Sequence, residues 1–111
     1  MARILVGEPH ADVRSLLEVV IARLGHEPLV PDAGDPEPSD VQAAVVEPGD
    51  GIGLELARRL CARQVPLVFT SIYPATPELL ELRPAAYLVK PFALCALERA
   101  ITCALDSGAS A

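Results

Sequence analysis

The chain has no tryptophan and only 4% aromatic residues, so a core drawn from its 51% hydrophobic residues must rest on Leu, Val, Ile and Ala. Basic residues are scarce as well. Lys and Arg number 9 against 15 Asp and Glu, the net charge is -6 and the pI is near 4.7, so no basic stripe is available to neutralise nucleic-acid phosphates. No apolar run approaches the ~20 residues needed to span a bilayer, and no charged and apolar leader precedes the first strand pattern. The reading is a cytoplasmic protein, neither secreted nor membrane-inserted, with protein or small-molecule partners. Cys61, Cys95 and Cys103 are odd in number, lack CxxC spacing and fall in apolar helical patterns, which predicts buried free thiols. His10 and His26 lack metal-ligand spacing and are expected at the surface or at helix caps. Gly49, Gly51 and Gly53 alternate with other residues but do not form GxGxxG after a first strand, so a nucleotide cradle is not indicated.

What is present fits one domain of 111 residues, with its body over 1–106 and a frayed tail over 107–111. Ala43-Ala44-Val45-Val46 is a run of small and β-branched residues without alternation, which predicts a strand buried on both faces, with Glu47 at its carboxyl end. Arg3-Ile4-Leu5-Val6 predicts a first buried strand ending in Gly7-Glu8, so two acids are delivered to one edge. Val13, Leu16, Leu17, Val20 and Leu24 recur at helical spacing, and Gly25 is placed to cap that helix in the left-handed region. His26 to Val30 is a weaker strand, and Pro28 inside it predicts an edge position outside the first strand.

Pro31 to Asp40 reads PDAGDPEPSD, which cannot hold a stable helix. A parallel return across the sheet usually contains one, so a helix is expected to be missing here and one flank of the sheet thinly covered. Leu54, Ala57, Leu60 and Cys61 set out the next helix, Pro66 to Thr70 the fourth strand, and Pro77 to Leu82 a short helix with Thr76 as cap and Pro77 in the first turn. Ala85 to Val89 is the fifth strand, and Leu94, Leu97, Ile101 and Leu105 predict a last helix. Ligands of open α/β sheets collect at the carboxyl ends of the strands, where Glu8 and Glu47 fall.

Four segments together, ILV with an acid and the helix DVRSLLEVVIARLGH, VVE followed by PGDGIGLELARRL, VFTS, and AAYLVKPF, resemble the response-regulator receiver domains of two-component signalling over about residues 2 to 105. The resemblance implies an α/β, flavodoxin-like, doubly wound parallel five-stranded sheet in the order 2-1-3-4-5, and the loss of the second helix is read from PDAGDPEPSD itself. It implies a cis bond between Lys90 and Pro91, with Lys90 as the family's lysine, Thr70 as its hydroxyl switch residue and Tyr87 as the aromatic that swings with it. It also implies a phosphoacceptor at the end of the third strand and Mg2+ held by acids after the first.

At those two places this chain departs from the pattern. Glu47 stands at the acceptor position, where the family has Asp, and Glu8 is followed by Pro9, which cannot ligate through its side chain. The acceptor loop is short, and Asp50 is the nearby substitute acid in this degenerate pocket. Two uses stand for Glu47: a permanent partner of Lys90, or an acid without a task. Glu8 reads as a second partner for Lys90 or for helix-terminal amides. An ion pair between Lys90 and Glu47 is expected to be partly exposed and worth ~0 to 1 kcal/mol.

Two functions remain on these residues. One is a stand-alone pseudo-receiver, not an enzyme, without Mg2+ or another cofactor, which docks a histidine kinase, a downstream effector or a second copy of itself through the last helix, fifth strand and short helix. The other is an atypical Mg2+-dependent phosphoacceptor that uses Asp50 or Glu47.

Overall fold

The computed structural model describes residues 2–31, 38–49 and 51–109. Its elements run β1 (Arg3–Gly7), α1 (Ala11–Arg23), β2 (Glu27–Leu29), β3 (Ala43–Val46), α2 (Gly51–Ala62), β4 (Leu67–Ser71), α3 (Pro77–Leu80), β5 (Ala86–Val89) and α4 (Leu94–Ala109). The strands form one parallel sheet in the order β2-β1-β3-β4-β5, as expected, with β2 and its Pro28 on the edge. Pro28 lacks an amide hydrogen, and an edge strand leaves one side without a ladder partner.

Alternation along the strands divides the core into two layers. Ile4, Val6, Ala43, Val45 and Val68 pack under α1 and α4, whereas Leu5, Ala44, Val46, Leu67 and Phe69 pack under α2 with Leu79 and Leu82 beside them. Ala43 to Val46 are all buried, in keeping with a central strand covered on both faces. Helix ends follow local chemistry. Gly25 closes α1 at φ +88°, and Thr76 accepts a hydrogen bond from the Leu79 amide at the start of α3, with Pro77 in the first turn.

No helix stands between β2 and β3 among the described residues, while 32–37 of the proline-rich segment lie outside them. The expected bare flank is confined to the edge. Leu5, Ala44 and Val46 are wholly buried, and on the β2 side Glu27 and Val30 are exposed while Pro28 and Leu29 are half-buried. Two further expectations are corrected. Helix α4 continues through Ser107 to Ala109, where a frayed tail was expected. The thiols are free, but Cys95 and Cys103 are exposed and Cys61 is half-buried, its Sγ donating to the Leu82 carbonyl. The buried stripe of α4 is Leu97, Ala100, Ile101 and Ala104, which turns both outer cysteines to solvent. No helix is long and apolar enough to cross a membrane among the described residues.

Candidate functional site

Strand register builds the site. Gly7 pairs with Val46, so the next residue of each strand, Glu8 and Glu47, leaves the sheet at the same level, and the Glu47 amide donates to the Gly7 carbonyl at 3.0 Å. On the other side Ser71 pairs with Val89, and the Lys90 amide donates to the Ser71 carbonyl at 2.7 Å. The Lys90-Pro91 bond is cis, as the resemblance implied.

Lys90, the only lysine of the chain, meets both acids. Its Nζ donates to Glu8 Oε1 at 2.8 Å and to Glu47 Oε2 at 3.1 Å. These groups are more enclosed than the sequence suggested. The side chains of Lys90, Glu47 and Glu8 are 14%, 10% and 0% exposed, so the expected partly exposed pair is a nearly buried three-charge cluster. Burial pulls the Lys90 ammonium toward a lower pKa. Hydrogen bonds to Glu8 and Glu47 and the charge of both outweigh that loss and hold it above the ordinary lysine value.

The remaining carboxylate oxygens are occupied in a repeated manner. Glu8-Pro9-His10 and Glu47-Pro48-Gly49 each turn so that the carboxylate folds back on the amide two residues on. Glu8 Oε2 accepts from the His10 amide at 3.2 Å, and Glu47 Oε1 accepts from the Gly49 amide at 2.7 Å. Proline fixes φ at the intervening residue and favours an extended residue before it, which suits this short return. His10 also sets its ring Nδ1 3.1 Å from Glu8 Oε2, and Arg14 donates to the Glu8 carbonyl at 3.2 Å. A Cβ at position 49 would lie 2.5 Å from Glu47 Oε1, so glycine is what allows this closure. The roles of His10 and Gly49 escaped the sequence reading. The signal was there in the two Glu-Pro pairs at strand ends.

The side chains of Thr70 and Tyr87 share no hydrogen bond with this cluster. Thr70 is fully buried in β4, and its Oγ1 has no hydrogen-bond partner among the described residues. Tyr87 donates its hydroxyl to the Tyr73 carbonyl at 2.8 Å and sets its ring against Phe69 edge to face, with centroids 6.1 Å apart. Asp50, the substitute acid, lies outside the described residues. Among the described residues no group of three or more His, Cys, Asp and Glu is placed to hold a metal ion, and His26 instead accepts from the Ala2 amide through Nδ1.

No protein-family profile matches the chain, and no curated protein matches it. Solved structures do. The signal receiver domain of a modulated diguanylate cyclase from Desulfovibrio desulfuricans G20 superposes with a TM-score of 0.79 at 23% identity, over 99% of this chain and 98% of that one. A response regulator receiver protein from Burkholderia phymatum gives 0.79 at 21% identity, over 96% of each chain. Another from Pseudoalteromonas atlantica gives 0.78 at 16%, over 95% of this chain and 98% of that one. With its strand order and cis Lys90-Pro91 bond, the chain has the fold of response-regulator receiver domains.

Proposed function

We propose that the chain is a receiver-type signalling module that acts by docking a protein partner and is not itself phosphorylated. The observation that carries this reading is the double contact of Lys90 with Glu8 and Glu47. In this reading the ammonium that would meet an incoming phosphoryl group is already neutralised by carboxylates of the protein, and Glu47 supplies a permanent negative charge beside it.

Mg2+ fits the described donor set poorly. The ion takes a near-octahedral shell of oxygens at about 2.0 to 2.1 Å. Here Glu8 Oε1 and Glu47 Oε2 receive Lys90, Glu8 Oε2 receives the His10 amide, and Glu47 Oε1 receives the Gly49 amide. Pro9 adds no side-chain oxygen. Each of these oxygens already accepts a hydrogen bond, so a cation would have to share it with the ammonium or an amide.

Phosphoryl transfer depends on positioning an in-line nucleophile, and both Glu47 oxygens are tied down in a buried site. The docking surface in this reading is α3, β5 and the start of α4, where Leu80, Val89 and Leu94 are exposed, with Tyr73 exposed just before α3. Its partner is a signalling protein such as a histidine kinase or a downstream effector. A Mg2+ titration followed by the amide resonances of Glu8, His10, Glu47 and Gly49 tests the reading. The expected result is no saturable shift at millimolar Mg2+, and a saturable shift centred on these amides would favour the Mg2+-dependent phosphoacceptor using Asp50 or Glu47.

A further inference from the structure

We propose that His26 is a proton-sensitive latch that holds the edge strand β2 to β1 and releases it when the imidazole takes up a proton. The Ala2 amide donates to His26 Nδ1 at 3.0 Å, and the Glu27 amide donates back to the Ala2 carbonyl at 2.8 Å. The imidazole therefore stands where a backbone carbonyl would otherwise complete the first rung between the two strands. Ala2 is buried, so both of its polar groups depend on residues 26 and 27.

A backbone amide can only donate, so this contact requires a lone pair on Nδ1 and a neutral ring. Protonation sets N–H against N–H, and the ring must leave Ala2. His10 is the opposite case. Its Nδ1 lies 3.1 Å from a Glu8 carboxylate oxygen, a contact that a ring proton strengthens. Of the two histidines, only His26 has a contact that acid breaks.

Little else holds the start of β2. The strand has three residues and pairs on one side only, so each rung is a large share of its ladder. Charged groups approach the ring from several elements. Arg63 at the end of α2 and Asp106 of α4 line one cavity with it, Arg23 lies in the last turn of α1, and Arg3 of β1 pairs with Glu27 of β2 and with Asp40. Arginines and carboxylates ordinarily titrate outside the range from about pH 5.5 to 7.5, which leaves the imidazole as the group that changes charge there. Asp106 and the carboxyl end of α1, just before His26, both favour a cation. The charged ring thus keeps stabilising surroundings once it has left Ala2, and the result is a local opening of the edge strand with the rest of the sheet intact.

The test is amide hydrogen exchange on the full-length protein, read by two-dimensional NMR at about pH 7.5 and about pH 5.5 and corrected for the intrinsic pH dependence of exchange. In the wild type the Glu27 amide is expected to be at least ~10-fold less protected at the acid value, while the Ala44 amide, bonded to Pro66 at the centre of the sheet, keeps its protection. His26→Asn, whose side-chain oxygen accepts in place of Nδ1 and does not titrate, gives the same Glu27 protection at both values. His26→Leu, which offers no acceptor, gives the lowered protection at both. Wild-type Glu27 protection that is equal at the two values, a His26→Asn variant with the full wild-type fall, a His26→Leu variant as protected as the wild type at about pH 7.5, or a parallel fall at Ala44 would each overturn the proposal.

Discussion

Lys90 Nζ lies 2.8 Å from Glu8 Oε1, joining residues 82 positions apart through a carboxylate that has no solvent exposure. That contact, with the one to Glu47, makes the carboxyl edge of the sheet a closed electrostatic unit.

Removing the ammonium should therefore be costly. Lys90→Met leaves two enclosed carboxylates facing each other, and we expect a loss of about 3 kcal/mol, the lower end for breaking a buried ion pair. Urea denaturation measures it, and a loss below about 1 kcal/mol would mean the cluster behaves like a surface pair.

The pH dependence of the same cluster has a definite sign. Lys90 has a folded-state pKa raised above its ordinary value. Its contribution is complete below the unfolded lysine pKa of about 10.4 and is lost as pH rises through the higher folded value. Stability of the wild type should fall across that alkaline window more steeply than stability of Lys90→Met, as read from thermal midpoints on both proteins.

Gly49 should be intolerant of a side chain because of Glu47. In Gly49→Ala the added Cβ would meet Glu47 Oε1 at 2.5 Å and remove a charge-assisted hydrogen bond, a loss of about 1.5 to 3 kcal/mol. With Glu47→Ala in the background the same change should lose much less, and equal losses in both backgrounds, measured as a double-mutant cycle, would contradict the closure.

Much of this architecture is legible in the sequence, and the residues show why. Ile4 to Val6 and Ala43 to Val46 are apolar without alternation, so they read as central strands, and Pro28 marks the edge. Burial beyond a strand end is another matter. Periodicity places Glu8 and Glu47 at the edge but carries no information on how far a carboxylate is enclosed by Lys90, which arrives from β5. Helix α4 misleads for a different reason. Leu94, Cys95, Leu97, Ile101 and Cys103 are all apolar, more than one helical stripe can hold, and the sheet selects Leu97 and Ile101 while leaving Leu94 and both cysteines outside.

Thr70 offers an opposite test. Its buried hydroxyl has no partner among the described residues, so Thr70→Val replaces an orphan polar atom with a methyl group of nearly the same shape. A gain of about 1 kcal/mol is expected from removing an unsatisfied buried hydroxyl. A comparable loss in chemical denaturation would show that the hydroxyl is engaged.

The central claim is that Glu8, Glu47 and Lys90 satisfy one another in place of a cation and a phosphoryl group. The most direct measurement is the intact mass of the protein after incubation with a small-molecule phosphodonor and Mg2+. The account predicts an unchanged mass with and without Mg2+. A stoichiometric phosphoryl adduct that requires Mg2+ and disappears in Glu47→Gln or Asp50→Asn would contradict it.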